Sequence, residues 1–183
     1  YAKFYEKYLF KIKNKKLNIF EIGSFKGNAT ASLFFYFKKS QIYSADLYPD
    51  LFRYISKRIT NFKINNSIEY DLDSISKKIK YDIIIEDAGH YLKDQIITLF
   101  KLFPSLKKNG LFVIEELDFP DTRKDMNKQN DKNTLYKILK LVKKKKDFKS
   151  QFITEKDKNF FLKNYKKIDI YKGKFNKIAF IRK

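Results

Sequence analysis

Short apolar runs alternating with amphipathic segments constrain the fold of this chain more than any other feature. The runs LNIFEIG (17–23), QIYSAD (41–46), YDIIIED (81–87) and GLFVIEE (110–116) have the length and composition of buried strands, and SIEYD (67–71) is a weaker one. Strands that alternate with helices at this spacing form a mainly parallel sheet covered on both faces. The sequence therefore predicts an α/β fold.

Helical segments separate these strands and follow them. Apolar residues recur at helical spacing in the segments 1–12, 28–39, 50–62, 92–106, 133–146 and 155–165. The tail KIDIYKGKFNKIAFIR (167–182) alternates on both sides of Lys172 and Gly173, which predicts a closing antiparallel hairpin. The long polar stretch 121–133 is predicted to be a loop after the fifth strand.

The length and composition fit one soluble domain. The 183 residues suffice for a single core, so we expect one domain over 1–183. Cysteine is absent, which excludes disulfides and thiolate sites. No apolar run of membrane-spanning length and no signal-like start is found, so we expect a cytoplasmic protein.

The net charge of +20 raises the question of nucleic-acid binding. Arginine, which recognises phosphates and guanines in bidentate fashion, contributes only four of the 41 basic residues. The cluster KLVKKKKDFK (140–149) has the pattern of a solvated helix end. We therefore expect no dedicated nucleic-acid site, with a weak preference for anionic surfaces left open.

Ligands of such sheets bind beyond the carboxyl ends of the strands. After the first strand, Gly23 and Gly27 flank a turn into a helix, in a spacing that lacks the GxGxxG pattern for a pyrophosphate. Asp46 ends the second strand, where an acid can accept both ribose hydroxyls, although an acid is also a common helix start. Together they indicate a nucleoside-bearing cofactor without a pyrophosphate.

Three acids follow the two strongest strands. Asp87 ends one strand, and Glu115 and Glu116 end the next, so the carboxylates are expected to converge at one edge of the sheet. Their mutual repulsion would be relieved by a hard divalent cation: Mg²⁺ first, then Mn²⁺ or Ca²⁺. The alternative is that these acids cap helices or pair with lysines.

The only histidine, His90, lies three residues after Asp87, at the turn into the next helix. An imidazole there could take the proton from a metal-coordinated hydroxyl, with an ordinary pKa near neutrality. The alternative is a structural histidine.

These motifs resemble known enzymes. EIGSFKG (21–27), YSADLYPD (43–50), the stretch 81–117 and the closing hairpin resemble class I S-adenosylmethionine-dependent methyltransferases. The stretch 82–117 resembles more narrowly the macrocin and mycinamicin sugar O-methyltransferase group. That group carries Asp-Gly-Ser-His, a helix with Gln, Leu-Phe-Pro, a Gly-Gly turn and Val-Ile-Glu-Asp. This chain departs from the pattern at Ala88-Gly89, at Asn109 and at Glu116.

The resemblance implies a Rossmann-like sandwich with a mostly parallel seven-stranded sheet and a carboxyl-terminal antiparallel hairpin. It also assigns roles to residues at the strand ends. These are Glu21, Gly23, Ser24 and Gly27 toward the methionine part of the cofactor, Asp46 at the ribose, Asp71 (or Asp73) near the adenine, Asp87, Glu115 and Glu116 as metal ligands, and His90 as general base.

The expected activity is metal-dependent O-methylation of a sugar hydroxyl by S-adenosylmethionine. The acceptor would be a polysaccharide or a secondary metabolite with vicinal hydroxyls, chosen by residues in 118–133 and near the amino end. Two alternatives stay open: a nucleic-acid methyltransferase, whose binding would depend steeply on salt, and a non-catalytic S-adenosylmethionine-binding module.

Overall fold

Seven strands form the central sheet of this computed structural model, which describes residues 1–128 and 130–183. They are β1 (Asn18–Ile22), β2 (Gln41–Asp46), β3 (Ile59–Lys63), β4 (Tyr81–Glu86), β5 (Leu106–Ile114), β6 (Lys167–Lys172) and β7 (Lys177–Arg182). Their order across the sheet is β3-β2-β1-β4-β5-β7-β6. The first five strands run parallel, and β7 is antiparallel to β5 and β6. The predicted α/β class and closing hairpin are confirmed.

Helices cover both faces of the sheet. They are α1 (Ala2–Leu9), α2 (Asn28–Tyr36), α3 (Glu69–Lys78), α4 (Leu92–Leu102), the single turn α5 (Phe119–Thr122), α6 (Leu135–Lys143) and α7 (Glu155–Asn164). Side chains of α1 and α2 pack on one face, around Ile83, Ile85 and Val113. Those of α3, α4, α6 and α7 pack on the other, around Ile84 and Phe112. No helix in the described ranges has both the length and the apolar character needed to cross a membrane.

Two predicted elements in the middle of the chain are wrong. Residues 50–62 were expected to form a helix, but they contain only a 3-10 turn (Pro49–Leu51) and most of β3. The predicted strand 67–71 is instead the start of α3. The reason is that β3 is an edge strand with half-buried side chains, while the acids Glu69 and Asp71 suit the first turn of a helix.

The polar stretch 121–133 is more ordered than a plain loop. It contains the end of α5 and a 3-10 turn, Lys124–Met126. Asn127 and Asp131 then bridge the segment, because the amide of each donates to an oxygen of the other, both at 2.9 Å. Gln129 lies outside the described residues.

The winding of the sheet reverses between β1 and β4. From β1 the chain proceeds outward to β2 and β3, whereas β4 lies on the other side of β1. A crevice opens at such a reversal, beyond the carboxyl ends of the strands. Gly23 follows β1 and Asp87 follows β4, so this topology places both at the reversal.

Glu86, the last residue of β4, carries a fully buried carboxyl group. One oxygen accepts a hydrogen bond from the Ala88 amide at 3.3 Å, and the other has no partner among the described residues. Burial raises the pKa of Glu86 from 4.5 to about 8. The fold therefore favours the protonated acid.

We expect Glu86→Gln to stabilise the protein more at pH 8 than at pH 5. As pH rises from 4.5 to 8, the unfolded chain ionises this group before the folded one, so wild-type stability falls across that window. The neutral amide avoids this loss, and the gain at pH 8 should be about 1–3 kcal/mol in chemical denaturation. Glu155→Gln on the exposed surface of α7 is the control. An equal gain at both pH values would contradict the assignment.

Candidate active site

A cavity of about 320 Å³ opens at the reversal between β1 and β4. Four segments build its walls: the turn after β1, the end of β2, the loop after β3 and the turn after β4. Of the residues predicted to bind the cofactor, Gly23 and Asp46 line this cavity, and so does the predicted metal ligand Asp87. The site thus lies where the topology predicts it.

Gly23 is required by the close approach of two backbones. Its φ is +93°, and a Cβ atom there would lie 2.2 Å from the Asp87 carbonyl oxygen. The amides of Gly23 and Ser24 both donate to the Ala45 carbonyl, at 2.8 and 3.1 Å. Ser24 is buried, and its hydroxyl has no partner among the described residues.

Gly27 has a different role from Gly23. It precedes α2 with φ +84°, and a Cβ atom there would lie 2.5 Å from the Phe52 ring. It does not line the cavity, so it serves the turn and the packing of the loop before β3.

The Asp46 carboxylate is held in place by backbone amides. Its two oxygens accept hydrogen bonds from the amides of Phe25 (2.7 Å) and Tyr48 (2.9 Å). Each carboxylate oxygen can accept more than one hydrogen bond, so the group remains able to bind a ligand hydroxyl.

The loop after β3 supplies cavity residues that sequence reasoning missed. Asn65, Asn66 and Ser67 line the cavity, and the buried Asn66 side-chain nitrogen has no partner in the described ranges. Asp71 does not line it, because the strand expected to end there is absent. Its carboxylate accepts a hydrogen bond from the Asn65 amide at 2.9 Å and so shapes the loop. Asp73 lies further along α3.

Acids cluster at the same edge of the sheet. Burial raises the pKa of Asp87 to about 8, and the charges of Glu115, Glu86, Glu21 and Glu116 add to the shift. Burial also raises the pKa of Glu21 to about 7 and that of Glu115. The charges of Glu115 and Glu116 thus act on Asp87, and the Glu115 amide donates to the Glu86 carbonyl at 3.0 Å, which puts Asp87 and Glu115 at neighbouring strand ends.

Hydroxyl groups hold most of these carboxylates. Tyr5 of α1 donates to Glu115 Oε1 at 2.6 Å, and Tyr1, which directly precedes α1, donates to Glu116 Oε2 at 3.1 Å. The Thr30 hydroxyl of α2 donates to Glu21, which lies outside the 320 Å³ cavity. Neutral donors thus offset part of the repulsion.

The all-oxygen donors and the repulsion that remains between them suit a hard cation chemically. In the present arrangement, however, tyrosine hydroxyls hold Glu115 and Glu116. Within the described part of the chain, no three histidine, aspartate or glutamate side chains are placed to bind one ion. As they stand, these residues do not form a metal site.

His90 adjoins the acids but lines neither this cavity nor its mouth. Its Nε2 lies 3.7 Å from Asp87 Oδ1, and its backbone has φ +58°. Burial, with a smaller effect of Arg123, lowers the imidazole pKa from its ordinary value of 6.5 to about 4. The ring is neutral at neutral pH and can accept a proton.

Comparison with known proteins gives matches in structure alone. No protein-family model and no curated protein sequence matches this chain. Many solved structures are similar to it over most of its length, and three of them follow.

One is MycE methyltransferase of the mycinamycin biosynthetic pathway, in complex with Mg, SAH and mycinamycin VI. Its TM-score is 0.77 and its sequence identity 20%, and the match covers 98% of this chain and 48% of MycE. A SAM-dependent methyltransferase from Anabaena variabilis has a TM-score of 0.56 and 12% identity, covering 99% and 83%. Fibrillarin, in complex with Nop5p, has a TM-score of 0.52 and 15% identity, covering 91% and 71%.

The chain spans about half the length of MycE. At these sequence identities the likeness establishes the fold alone. The fold is the predicted Rossmann-like sandwich, a seven-stranded sheet that ends in an antiparallel hairpin. Structures of S-adenosylmethionine-dependent methyltransferases are similar to it.

Proposed function

We propose that this chain is an S-adenosylmethionine-dependent methyltransferase that methylates a hydroxyl group of a small-molecule acceptor, in particular a sugar hydroxyl. The cavity at the reversal between β1 and β4 carries the proposal, because it combines a glycine backbone wall with an oriented carboxylate. Structural neighbours that bind SAH, such as MycE, add support through their shared fold.

In this proposal each wall of the cavity meets one part of the cofactor. Asp46 accepts hydrogen bonds from the ribose hydroxyls, and Asn66 offers its unpartnered amide to the adenine. Gly23, with Ser24 beside it, admits the methionine part. Glu21 and Gly27 support this wall from behind, through Thr30 and through the turn into α2. Asp71 acts on the adenine side through the Asn65 amide.

We expect Asp46→Ala to weaken binding of S-adenosylhomocysteine about 10- to 100-fold, because a lost hydrogen bond to a charged group costs about 1.5–3 kcal/mol. Isothermal titration calorimetry measures this directly. Asp50→Ala, four residues on and exposed, is the matched control and should bind like the wild type.

Equal affinity in Asp46→Ala and Asp50→Ala would remove Asp46 from the ribose site. No binding to the wild-type chain would overturn the cofactor assignment as a whole. Binding of S-adenosylhomocysteine without methyl transfer to any hydroxyl acceptor would favour the non-catalytic binding module instead.

The proton of the acceptor hydroxyl needs a base. Bound S-adenosylmethionine supplies an electrophilic methyl group, and the chain has to position the acceptor oxygen and take its proton. We propose His90 for this step, since its neutral imidazole is 3.7 Å from Asp87, which lines the cofactor cavity. The unprotonated imidazole is the form that a base requires, and its lowered pKa makes it a weaker proton acceptor than a free imidazole.

We expect His90→Asn to lower turnover about 10²- to 10⁴-fold, the usual contribution of a positioned base. Asparagine tolerates the positive φ of this position, so the backbone should keep its conformation. Binding of S-adenosylhomocysteine should be unchanged, and transfer can be followed with a radiolabelled methyl donor.

Asp87→Asn provides the comparison for His90. If His90→Asn keeps its turnover while Asp87→Asn loses it, His90 is not the base.

Dependence on Mg²⁺, or on another hard cation such as Mn²⁺, is a further part of the proposal. The carboxylates of Asp87, Glu115 and Glu116 would be the ligands, and the hydroxyls of Tyr1 and Tyr5 now compete for two of them. Binding a cation would require Tyr1 and Tyr5 to release these groups.

We therefore expect Tyr5→Phe to bind Mg²⁺ more tightly than the wild type, because the variant frees Glu115 Oε1 from its 2.6 Å hydrogen bond. Calorimetric titration with MgCl₂ measures the change. Tyr8→Phe, whose hydroxyl contacts Asp169 instead, is the control. The same weak or absent binding in all three proteins would argue for methyl transfer without a cation.

A nucleic-acid acceptor is the alternative that one observation favours. Two tyrosines and five lysines line a cavity of about 470 Å³ between the end of α6 and the hairpin, and the chain carries a net charge of +20. Its lysines are Lys140, Lys143, Lys144, Lys172 and Lys177. This alternative requires RNA or DNA binding that weakens steeply with salt, together with methyl transfer to the nucleic acid.

A further inference from the structure

A second cavity lies on the face of the sheet covered by α1 and α2. It has a volume of about 560 Å³, larger than the cavity at the strand reversal. The proposed cofactor site does not use it. Its walls are mostly apolar, with Leu9, Phe10, Leu33 and Ile85 among them.

Two helical stripes face each other across this cavity. Helix α1 contributes Ala2, Tyr5, Glu6 and Leu9, and α2 contributes Ala29, Ser32, Leu33 and Tyr36. Both sets have the spacing i, i+3, i+4, i+7, which is the spacing of one helix face. Small side chains on both helices, Ala2, Ala29 and Ser32, line the gap between them.

The inner end of this cavity is polar. Glu21 and Glu115 line it there, together with Tyr5, which donates to Glu115. The rest of the lining offers few polar groups to a ligand, apart from Glu6, Lys13, Ser32 and Tyr36. A ligand that fits these walls has an apolar body and a hydroxyl at its inner end.

The acids at this inner end adjoin the cofactor cavity. Asp87 lines the cofactor cavity, while Glu115 and Glu21 line the second one. The Asp87 amide donates to the Ile22 carbonyl at 2.9 Å, and the Glu115 amide donates to the Glu86 carbonyl at 3.0 Å. Glu21, Asp87 and Glu115 therefore lie at adjoining strand ends, and each cavity is lined by part of this row of carboxyl groups.

We infer that the cavity between α1 and α2 binds the methyl acceptor by a neutral apolar body, with a hydroxyl of the acceptor at Glu21 and Glu115. The inference rests on the proposed methyltransferase function and narrows its substrate class. An acceptor with an apolar group next to its hydroxyl-bearing part fits these walls. A free polysaccharide has no apolar group to pack against them. Recognition then combines hydrophobic burial with one hydrogen bond to an acid.

The inference can be tested with 1-naphthol and 1-methoxynaphthalene, which share an apolar body and differ in the hydroxyl. We expect 1-naphthol to bind the wild type with one-to-one stoichiometry and about tenfold more tightly than its methyl ether, since only the naphthol can donate to a carboxylate. Fluorescence titration at pH 7 measures both affinities. Glu115→Leu should abolish the preference for the naphthol while leaving a site for both probes.

Variants that fill the cavity locate the probe. Ser32→Trp on α2 and Ala2→Trp on α1 place an indole in the gap from opposite walls, and each should weaken 1-naphthol binding at least about tenfold, because the ring occupies the space of the probe. Phe35→Trp is the control, since this exposed residue of α2 does not line the cavity.

Binding of S-adenosylhomocysteine, measured on the same proteins, distinguishes a failure of the acceptor cavity from a failure of the methyltransferase assignment. If it binds and the naphthol does not, or if the filling variants leave naphthol affinity unchanged, the acceptor cavity is refuted while the methyltransferase assignment stands. If the naphthol binds as expected but S-adenosylhomocysteine binds to none of the proteins, the methyltransferase assignment fails, and with it the role of this cavity as an acceptor site.

Discussion

The contact between the turn after β1 and the turn after β4 sets the geometry of the rest of the site. Gly23 lies so close to the Asp87 carbonyl that no side chain fits between them. This contact holds the two strand ends together where the winding reverses, while the amides of Gly23 and Ser24 tie the same turn to the end of β2. These backbone contacts leave a cavity that is open to a ligand and has backbone atoms in its wall.

This arrangement has an energetic cost, because it buries several carboxyl groups close together at this edge of the sheet. Glu21 and Glu86 are almost fully buried, and Asp87 and Glu115 are half-buried; burial and neighbouring charges raise the pKa of each. Hydroxyl donors from α1 and α2 compensate part of the cost. Acids whose pKa is shifted by burial and by neighbouring charges are common at functional sites.

Helix α1 connects the two proposed binding regions. Its Tyr5 holds Glu115 and at the same time lines the cavity between α1 and α2. Any ligand that reaches the acids from that side, whether an acceptor hydroxyl or a cation, has to share or replace this hydrogen bond. The position of α1 is thus coupled to what the acid row can bind.

The sequence by itself determined the α/β class, the four buried strands and the closing hairpin. It also located Gly23, Asp46 and Asp87 at the strand ends. The reason is that buried parallel strands appear in a sequence as continuous apolar runs. Only the tertiary structure decided β3 and the wall formed by Asn65, Asn66 and Ser67. An edge strand such as β3 is half-buried and takes its hydrogen bonds from β2, so its sequence carries no run of this kind. The bonds from Tyr1 and Tyr5 to Glu116 and Glu115 join residues more than a hundred positions apart. No local pattern encodes such contacts, because they depend on where the packing of α1 on the sheet brings its side chains.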